Sequence, residues 1–203
     1  MRWTKHTIPI ILCILVMGIA SVKAQDTAKV FTRRIAEVKG DLNKDKLEDI
    51  VIITQDTVAE KAPYLLQIFL AQPGGGKQLV VSSVKAIPPQ YPDGRDGYAT
   101  GDRFQDISIK AGVLTITNEL LRGHFEHKFR YRNGRFELIG YSYGSSDGQG
   151  KIYTTDFNLS TGVYHTTIER YDTDKVISDK TKKKMIRPLP DLRDFEPHVT
   201  EWY

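Results

Sequence analysis

The chain has 203 residues, 40% of them hydrophobic and 27% charged, with a formal net charge of +4 and one cysteine. That length and balance suit one globular domain and exclude a low-complexity or disordered polymer. The charge surplus is too small for the clustered basic surface that phosphate backbones require, so no nucleic-acid partner is expected, and a lone cysteine excludes a disulfide framework.

The first residues read as a targeting segment. Arg2 and Lys5 precede an apolar run from Ile8 to Val22, and Val22-Lys23-Ala24 has the spacing a signal peptidase reads. Residues 1–24 are therefore expected to be a signal peptide cut after Ala24, leaving a single β-rich domain over residues 25–203. The run is shorter than the roughly 20 residues a spanning helix needs, so no transmembrane anchor is expected after cleavage. Cys13 lies inside it and is read as an ordinary apolar residue of the leader. Arg2, Lys5 and Lys23 leave with the leader and no acid does, so the mature chain is nearly neutral. The expected location is the periplasm or the outside of a bacterial cell. There a chain without disulfides must rely on its core, or on a bound ion, for stability.

From residue 27 onward the pattern is mostly that of strands. The stretch TAKVFTRRIAEV, residues 27–38, suits a short helix or a first strand, and the strand reading fits if it pairs with Ile50–Thr54. Residues 64–87 are two apolar runs around Pro73-Gly74-Gly75-Gly76. DISIKAGVLTI, residues 106–116, alternates with period two around Ala111-Gly112, which sets Ile109 opposite Leu114 and Ile107 opposite Ile116. Residues 124–144 turn at Asn133-Gly134, a strong short-range hairpin signal. A two-residue turn there pairs Arg132 with Arg135, Tyr131 with Phe136, Phe129 with Leu138 and His127 with Gly140 on one register, with Arg130 opposite Glu137 and Glu126 opposite Tyr141. Residues 151–171 turn near Ser160-Thr161-Gly162, and residues 173–198 are charged, stopped by Pro188 and Pro190, and read as an irregular or edge segment. The expected fold is mainly β: an antiparallel hairpin or meander sheet, partly propeller-like or a small β domain, with little helix.

The stretch GDLNKDKLEDIVIIT, residues 40–54, carries the most specific chemistry. Counting from Asp41, positions one, three, five and nine are Asp41, Asn43, Asp45 and Asp49, and Leu47 at position seven offers its carbonyl. Oxygen donors alternating along a tight loop suit Ca²⁺, which takes six to eight oxygens. Carboxylates brought to one point repel each other unless a cation joins them. An EF-hand is excluded, since positions six and twelve are Lys46 and Ile52 in place of Gly and Glu. A solvated Asp/Asn/Lys turn that binds nothing is the alternative.

An acid at position nine followed at once by Ile50-Val51-Ile52-Ile53 resembles the loop of FG-GAP or VCBS-type repeats, the blades of integrin-like β-propellers. By that resemblance Asp41, Asn43, Asp45, the Leu47 carbonyl and Asp49 would hold calcium within the loop at residues 40–50. The family usually has glycine at position six, where the backbone turns left-handed, and Lys46 there would cost roughly 1–2 kcal/mol. The match spans one strand-loop-strand unit, with a partial echo in GDRFQDISI, residues 101–109, where Asp102 and Asp106 remain but the middle acids do not.

Residues 88–106, PPQYPDGRDGYATGDRFQD, form a long loop rich in proline, glycine and aspartate. Tyr91, Asp93, Arg95, Asp96 and Tyr98 there are candidate ligand-binding residues, for a glycan as one example; an ordered surface loop closing one end of a sheet is the alternative. His124 and His127 are three apart on a strand, so they point to opposite faces and cannot readily share a metal. No thiol, triad or G-x-S-x-G context supplies a nucleophile. The expected function is an exported, non-enzymatic, calcium-stabilised binding or structural module, with a glycan or an envelope protein as partner. The alternative is a glycan-processing or other hydrolase using Asp93, Asp96 and Asp102.

Overall fold

The computed structural model describes residues 30–97 and 103–198. The leader read over residues 1–24, and Tyr98 and Asp102, lie outside the described residues. Among the described residues eleven strands form two antiparallel sheets, each a meander in chain order. The first sheet contains β1 (Arg33–Gly40), β2 (Asp49–Gln55), β3 (Tyr64–Gln72) and β4 (Gly76–Ser83). The second contains β5 (Arg103–Lys110), β6 (Val113–Leu120), β7 (Gly123–Arg132), β8 (Arg135–Ser146), β9 (Lys151–Asn158), β10 (Val163–Arg170) and β11 (Val176–Lys183). Neither closes into a barrel. The architecture is thus the mainly-β meander that the turn signals predict. No helix among the described residues is long and apolar enough to cross a membrane.

Period-two patterning explains which faces are buried. On β2, Asp49, Val51, Ile53 and Gln55 point inward while the residues between them are only partly covered. β3 turns Leu66, Ile68 and Leu70 to the same side, and β6, β7 and β8 contribute Leu114, Ile116, Phe125, Phe129, Phe136 and Leu138 from the other sheet. Together they make one core cluster. The expected pairing of residues 33–40 with the strand after the acidic loop is observed, with Val38 opposite Val51.

The tight turns form where the sequence places them. Asn133 (φ 51°) and Gly134 (φ 76°) are both left-handed, as are Ala111 (φ 52°) and Gly112 (φ 76°), the backbone that two-residue hairpins require. Tyr131 faces Phe136 and Phe129 faces Leu138, as predicted. Beyond that point the register departs from strict alternation. Lys128 pairs with Gly140, so Ile139 is an extra residue on β8, His127 faces Tyr141, and Glu126 faces Ser142. The pairings of His127 with Gly140 and of Glu126 with Tyr141 are corrected accordingly. The cause is a bulge on the β7 side of β8; on the other side β9 pairs only from Gly140 onward, and the β8 backbone groups before it find other partners. The Ile139 carbonyl accepts the Leu159 N–H at 2.9 Å, and the Leu138 N–H donates to the Pro190 carbonyl at 2.9 Å. Leu192 N–H donates to the Phe136 carbonyl at 2.9 Å, which lays the C-terminal segment along β8 and brings Leu192 and Phe195 into the core.

β10 and β11 extend past the core. β11 is an edge strand carrying Lys180, Lys182 and Lys183 on an exposed surface, and lysine on an unpaired edge discourages strand addition. The edge-strand reading of residues 173–198 therefore holds for their first part. The two sheets meet at Gly40, where a Cβ would come within 2.8 Å of Ile109 Cγ2. Gly40→Ala is expected to destabilise the domain by roughly 1–3 kcal/mol through overpacking, measured as a lower urea midpoint. Combining it with Ile109→Ala should cost less than the sum of the two single changes.

Candidate functional site

The acidic loop joins β1 to β2 and sits where the two sheets meet. The β5–β6 turn lies against it: a Cβ on Gly112 would be 3.5 Å from the Asp41 carbonyl and 3.5 Å from Lys44 Cε. Leu42 anchors the loop below, fully buried in the core. Lys44 (φ 67°) and Lys46 (φ 69°) are both left-handed. The conformation that the FG-GAP resemblance implies at position six is therefore present without glycine. Those two residues reverse the backbone twice within a few positions, and the polar side chains of the loop curl over the residues that follow them. The Asp41 carboxylate accepts the Lys44 N–H at 2.6 Å and the Lys46 N–H at 2.9 Å. Asn43 accepts the Asp45 N–H at 3.1 Å and donates to Asp45 Oδ2 at 2.9 Å. Asp45 Oδ1 accepts the Leu47 N–H at 2.8 Å.

Asp49 occupies a different environment. It is fully buried, facing the core with Val51 and Ile53. Its Oδ2 accepts the Leu42 N–H at 2.8 Å and its Oδ1 accepts the Ala71 N–H at 2.9 Å. One carboxylate thus ties the acidic loop to the end of β3. Asn43 and Asp45 are joined to each other by hydrogen bonds, whereas Asp41 and Asp49 each bind backbone N–H groups of their own. Among the described residues, no three His, Cys, Asp or Glu side chains gather as a ready metal cluster.

The segment after β4 packs on the β2–β3 connection. Gln90 and Tyr91 N–H groups donate to the Ala62 and Lys61 carbonyls at 3.3 and 3.1 Å, and Gln55 Nε2 donates to Gln90 Oε1 at 2.6 Å. Arg95 donates to the Thr57 carbonyl and lies 5.1 Å from the Tyr91 ring centroid. Tyr91 and Arg95 are thus brought together, and both hold the segment in place. Asp93 and Asp96 are exposed. No enclosed acid pair forms at this loop among the described residues.

His124 and His127 point to opposite faces of β7, as strand geometry requires; His127 is buried and His124 is exposed. His127 packs edge-on against Phe125 and Phe195. Burial, aided by the nearby charge of His198, lowers its pKa to about 3. Asp191 shifts in the same direction: burial pushes its carboxyl upward, but hydrogen bonds from Arg193 and Arg135 hold it below the usual range.

Sequence reasoning missed Asn118. It continues the inward alternation Leu114, Ile116 on β6 and is 2% exposed, yet neither carboxamide atom has a hydrogen-bond partner among the described residues. Leaving a buried polar group unpaired costs roughly 1–3 kcal/mol. Asn118 borders a cavity of about 300 Å³ between the segment after β4 and the C-terminal residues. The signal was legible, since extending the alternation from Ile116 by one period puts a carboxamide on the core face.

Two predictions follow from these burials. Asp49→Ala should destabilise the domain by at least about 2 kcal/mol, because it strands two backbone N–H donors, and Asp49→Asn by less, because one acceptor survives; chemical denaturation measures both. His127 contributes a pH dependence: the unfolded chain takes a proton near pH 6.5 that the native state accepts only near 3. Stability should therefore fall as pH drops through that window, by up to roughly 1.4 kcal/mol per pH unit, and His127→Phe should flatten this part of the stability–pH curve. No protein-family model matches the chain, and neither a curated protein nor a solved structure shows significant similarity to it.

Proposed function

We propose that the domain is an exported, non-enzymatic binding or structural module of the bacterial envelope, stabilised by calcium at the loop of residues 40–50. The observation that carries this reading is the double left-handed turn at Lys44 and Lys46. It lets the Asp41 carboxylate cap the Lys44 and Lys46 N–H groups and sets Asn43 against Asp45, so the loop's oxygen-bearing side chains share one short stretch of backbone at a strand mouth. Each accepts only N–H groups or lies beside a neighbour's amide, which leaves lone pairs for a hard cation. Those side chains and the Leu47 carbonyl would hold the ion. Asp49 would add charge from behind while it keeps its two backbone bonds. The ion would supply no reaction chemistry. It would neutralise crowded carboxylates and lock the β1–β2 connection against the β5–β6 turn, at the point where the two sheets meet. Exposure of Asp93 and Asp96 favours this over the hydrolase reading, which needs a sheltered acid–base pair. A glycan or an envelope protein is the partner class that suits an exported domain of balanced charge.

With a dissociation constant on the order of 10⁻⁴–10⁻³ M, typical of extracellular modules, 10 mM calcium should raise the melting temperature by several degrees relative to chelator. Asp45→Ala should abolish that shift while folding normally in chelator. A melting temperature indifferent to calcium, or an undiminished shift in Asp45→Ala, overturns the reading.

A further inference from the structure

We propose that the face of β9, β10 and β11 that carries Tyr153, Thr166, Lys180 and Lys182 is a docking surface for an acidic polysaccharide, a chain of uronic-acid sugars with one carboxylate per ring. The inference rests on the reading of the domain as an exported binding module, names the class of glycan it would take, and is independent of the calcium loop.

Strand pairing sorts the side chains of these three strands. Tyr153, Thr155 and Phe157 on β9 stand opposite Ile168, Thr166 and Tyr164 on β10. Thr166 and Tyr164 in turn stand opposite Lys180 and Lys182 on β11. Phe157 is buried and Tyr164 packs against the core, so this face begins at the core and runs outward to the exposed edge. Charge is segregated between the two faces. The acids of the three strands, Asp156, Glu169 and Asp179, all alternate to the other side. Lys180 and Lys182 stay on this one, with Lys151 and Arg170 at its far end. There Asp172 occupies the Arg170 guanidinium at 2.8 Å, and the Asp147 carboxylate accepts the Lys151 N–H at 3.0 Å.

An open hollow of about 600 Å³ lies over Tyr164, Thr166, Lys180 and Lys182. Asp179 and Thr181 also border it, but Asp179 is bonded to His165 Nε2 at 2.8 Å on the opposite face, which directs its carboxylate away from the two lysines. Lys182 lies 4.5 Å from the Tyr164 ring centroid, and Phe157 meets that ring edge-on at 5.2 Å, so ring and ammonium are placed before a ligand arrives. Both lysines are exposed, and Tyr153, Thr155 and Thr166 are half-buried. A sugar ring offers an apolar face to a tyrosine and hydroxyls to the threonines, and one carboxylate per ring supplies the counter-charge. Lys180 and Lys182 stand about 7 Å apart along the strand, too sparse for the clustered surplus that a phosphate backbone or a heavily sulfated chain selects. Lysine is depleted at the centre of protein interfaces, and Ile168 alone is too little apolar surface for a membrane or a second copy of the chain.

The test is a calorimetric titration of the purified protein with a short oligogalacturonate, in chelator because uronates themselves bind calcium. Saturable binding with a dissociation constant on the order of millimolar or tighter supports the site. The methyl-esterified oligomer, which keeps the rings and hydroxyls but has no charge, should bind at least about tenfold more weakly. The double variant Lys180→Gln/Lys182→Gln should also lose at least about tenfold, with an unchanged melting temperature because both side chains are exposed. Lys183→Gln, the same change of charge on the other face of β11, should lose less than about twofold. No saturable binding, equal affinity for the methyl ester, or an equal loss in Lys183→Gln overturns the proposal. Tighter binding of a single-stranded oligonucleotide of the same charge does so too, since it marks a general polyanion surface. The outcome is separable from the calcium melt. Oligogalacturonate binding in chelator without a calcium shift keeps this site and removes the ion; a calcium shift without oligogalacturonate binding keeps the ion and removes this site.

Discussion

The carboxylate of Asp49 is the constraint around which the first sheet is organised. A fully buried acid has lost its hydration and needs replacement donors, and here the donors are backbone amides from two separate segments, Leu42 of the acidic loop and Ala71 at the end of β3. Meeting both requires the loop to double back on itself, and it does so through the left-handed residues Lys44 and Lys46. The same reversal carries Leu42 into the core and Asp41, Asn43 and Asp45 into one short polar arc. The buried acid and the polar arc are therefore one structure: the inner carboxylate fixes the backbone, and the outer side chains present their oxygens.

The second sheet depends on that junction as well. Gly40 leaves room for Ile109, and the Ala111-Gly112 turn rests against the loop, so β1 and β5 approach where neither sheet alone would be covered. Elsewhere the sheets share a core built of Val51, Ile53, Leu66 and Ile68 on one side and Leu114, Phe129, Phe136 and Leu138 on the other. The C-terminal segment closes the open end. Past the end of β9, β8 backbone groups pair with Pro190 and Leu159, and Leu192 and Phe195 follow into the core, Phe195 against His127. A neutral imidazole can lie there because its neighbours are aromatic rings, and the same burial holds its pKa low. Beyond this region the covering thins: β10 is mostly half-buried, with Tyr164 against the core, and β11 is almost wholly exposed and carries lysines along its edge.

Much of this was legible in the chain, for local reasons. Asn133-Gly134 adopts a left-handed turn cheaply, Gly112 allows the second turn although Ala111 must enter it too, and alternation then assigns Tyr131, Phe136, Phe129 and Leu138 to one face. The opposition of His124 and His127 follows from the same geometry. What alternation misses is the insertion of Ile139, because strict period-two pairing carries no signal for the extra residue of a bulge. The acidic loop was legible as a set of oxygen-bearing residues, but the division of labour inside it was not. Asp49 reads as one more acid in a series, and only the position of Ala71 makes it a buried clamp. Likewise the sequence does not announce that the Tyr91 backbone and the Arg95 side chain anchor their own segment to Lys61 and Thr57.

The sequence by itself determined the mainly-β meander, most hairpin registers, the inward faces and the run of oxygen-bearing residues in the acidic loop. These depend on backbone sterics at Gly and Asn, on the two-residue repeat of a strand and on side-chain chemistry, all of which act over a few residues. Only the tertiary structure decided that the strands divide into two sheets of four and seven, that the loop lies at their junction, and that Asn118 ends beside a cavity with its carboxamide unpaired. Those outcomes depend on which distant segments compete for the same buried surface and the same backbone donors, and that competition is resolved only when the chain closes on itself.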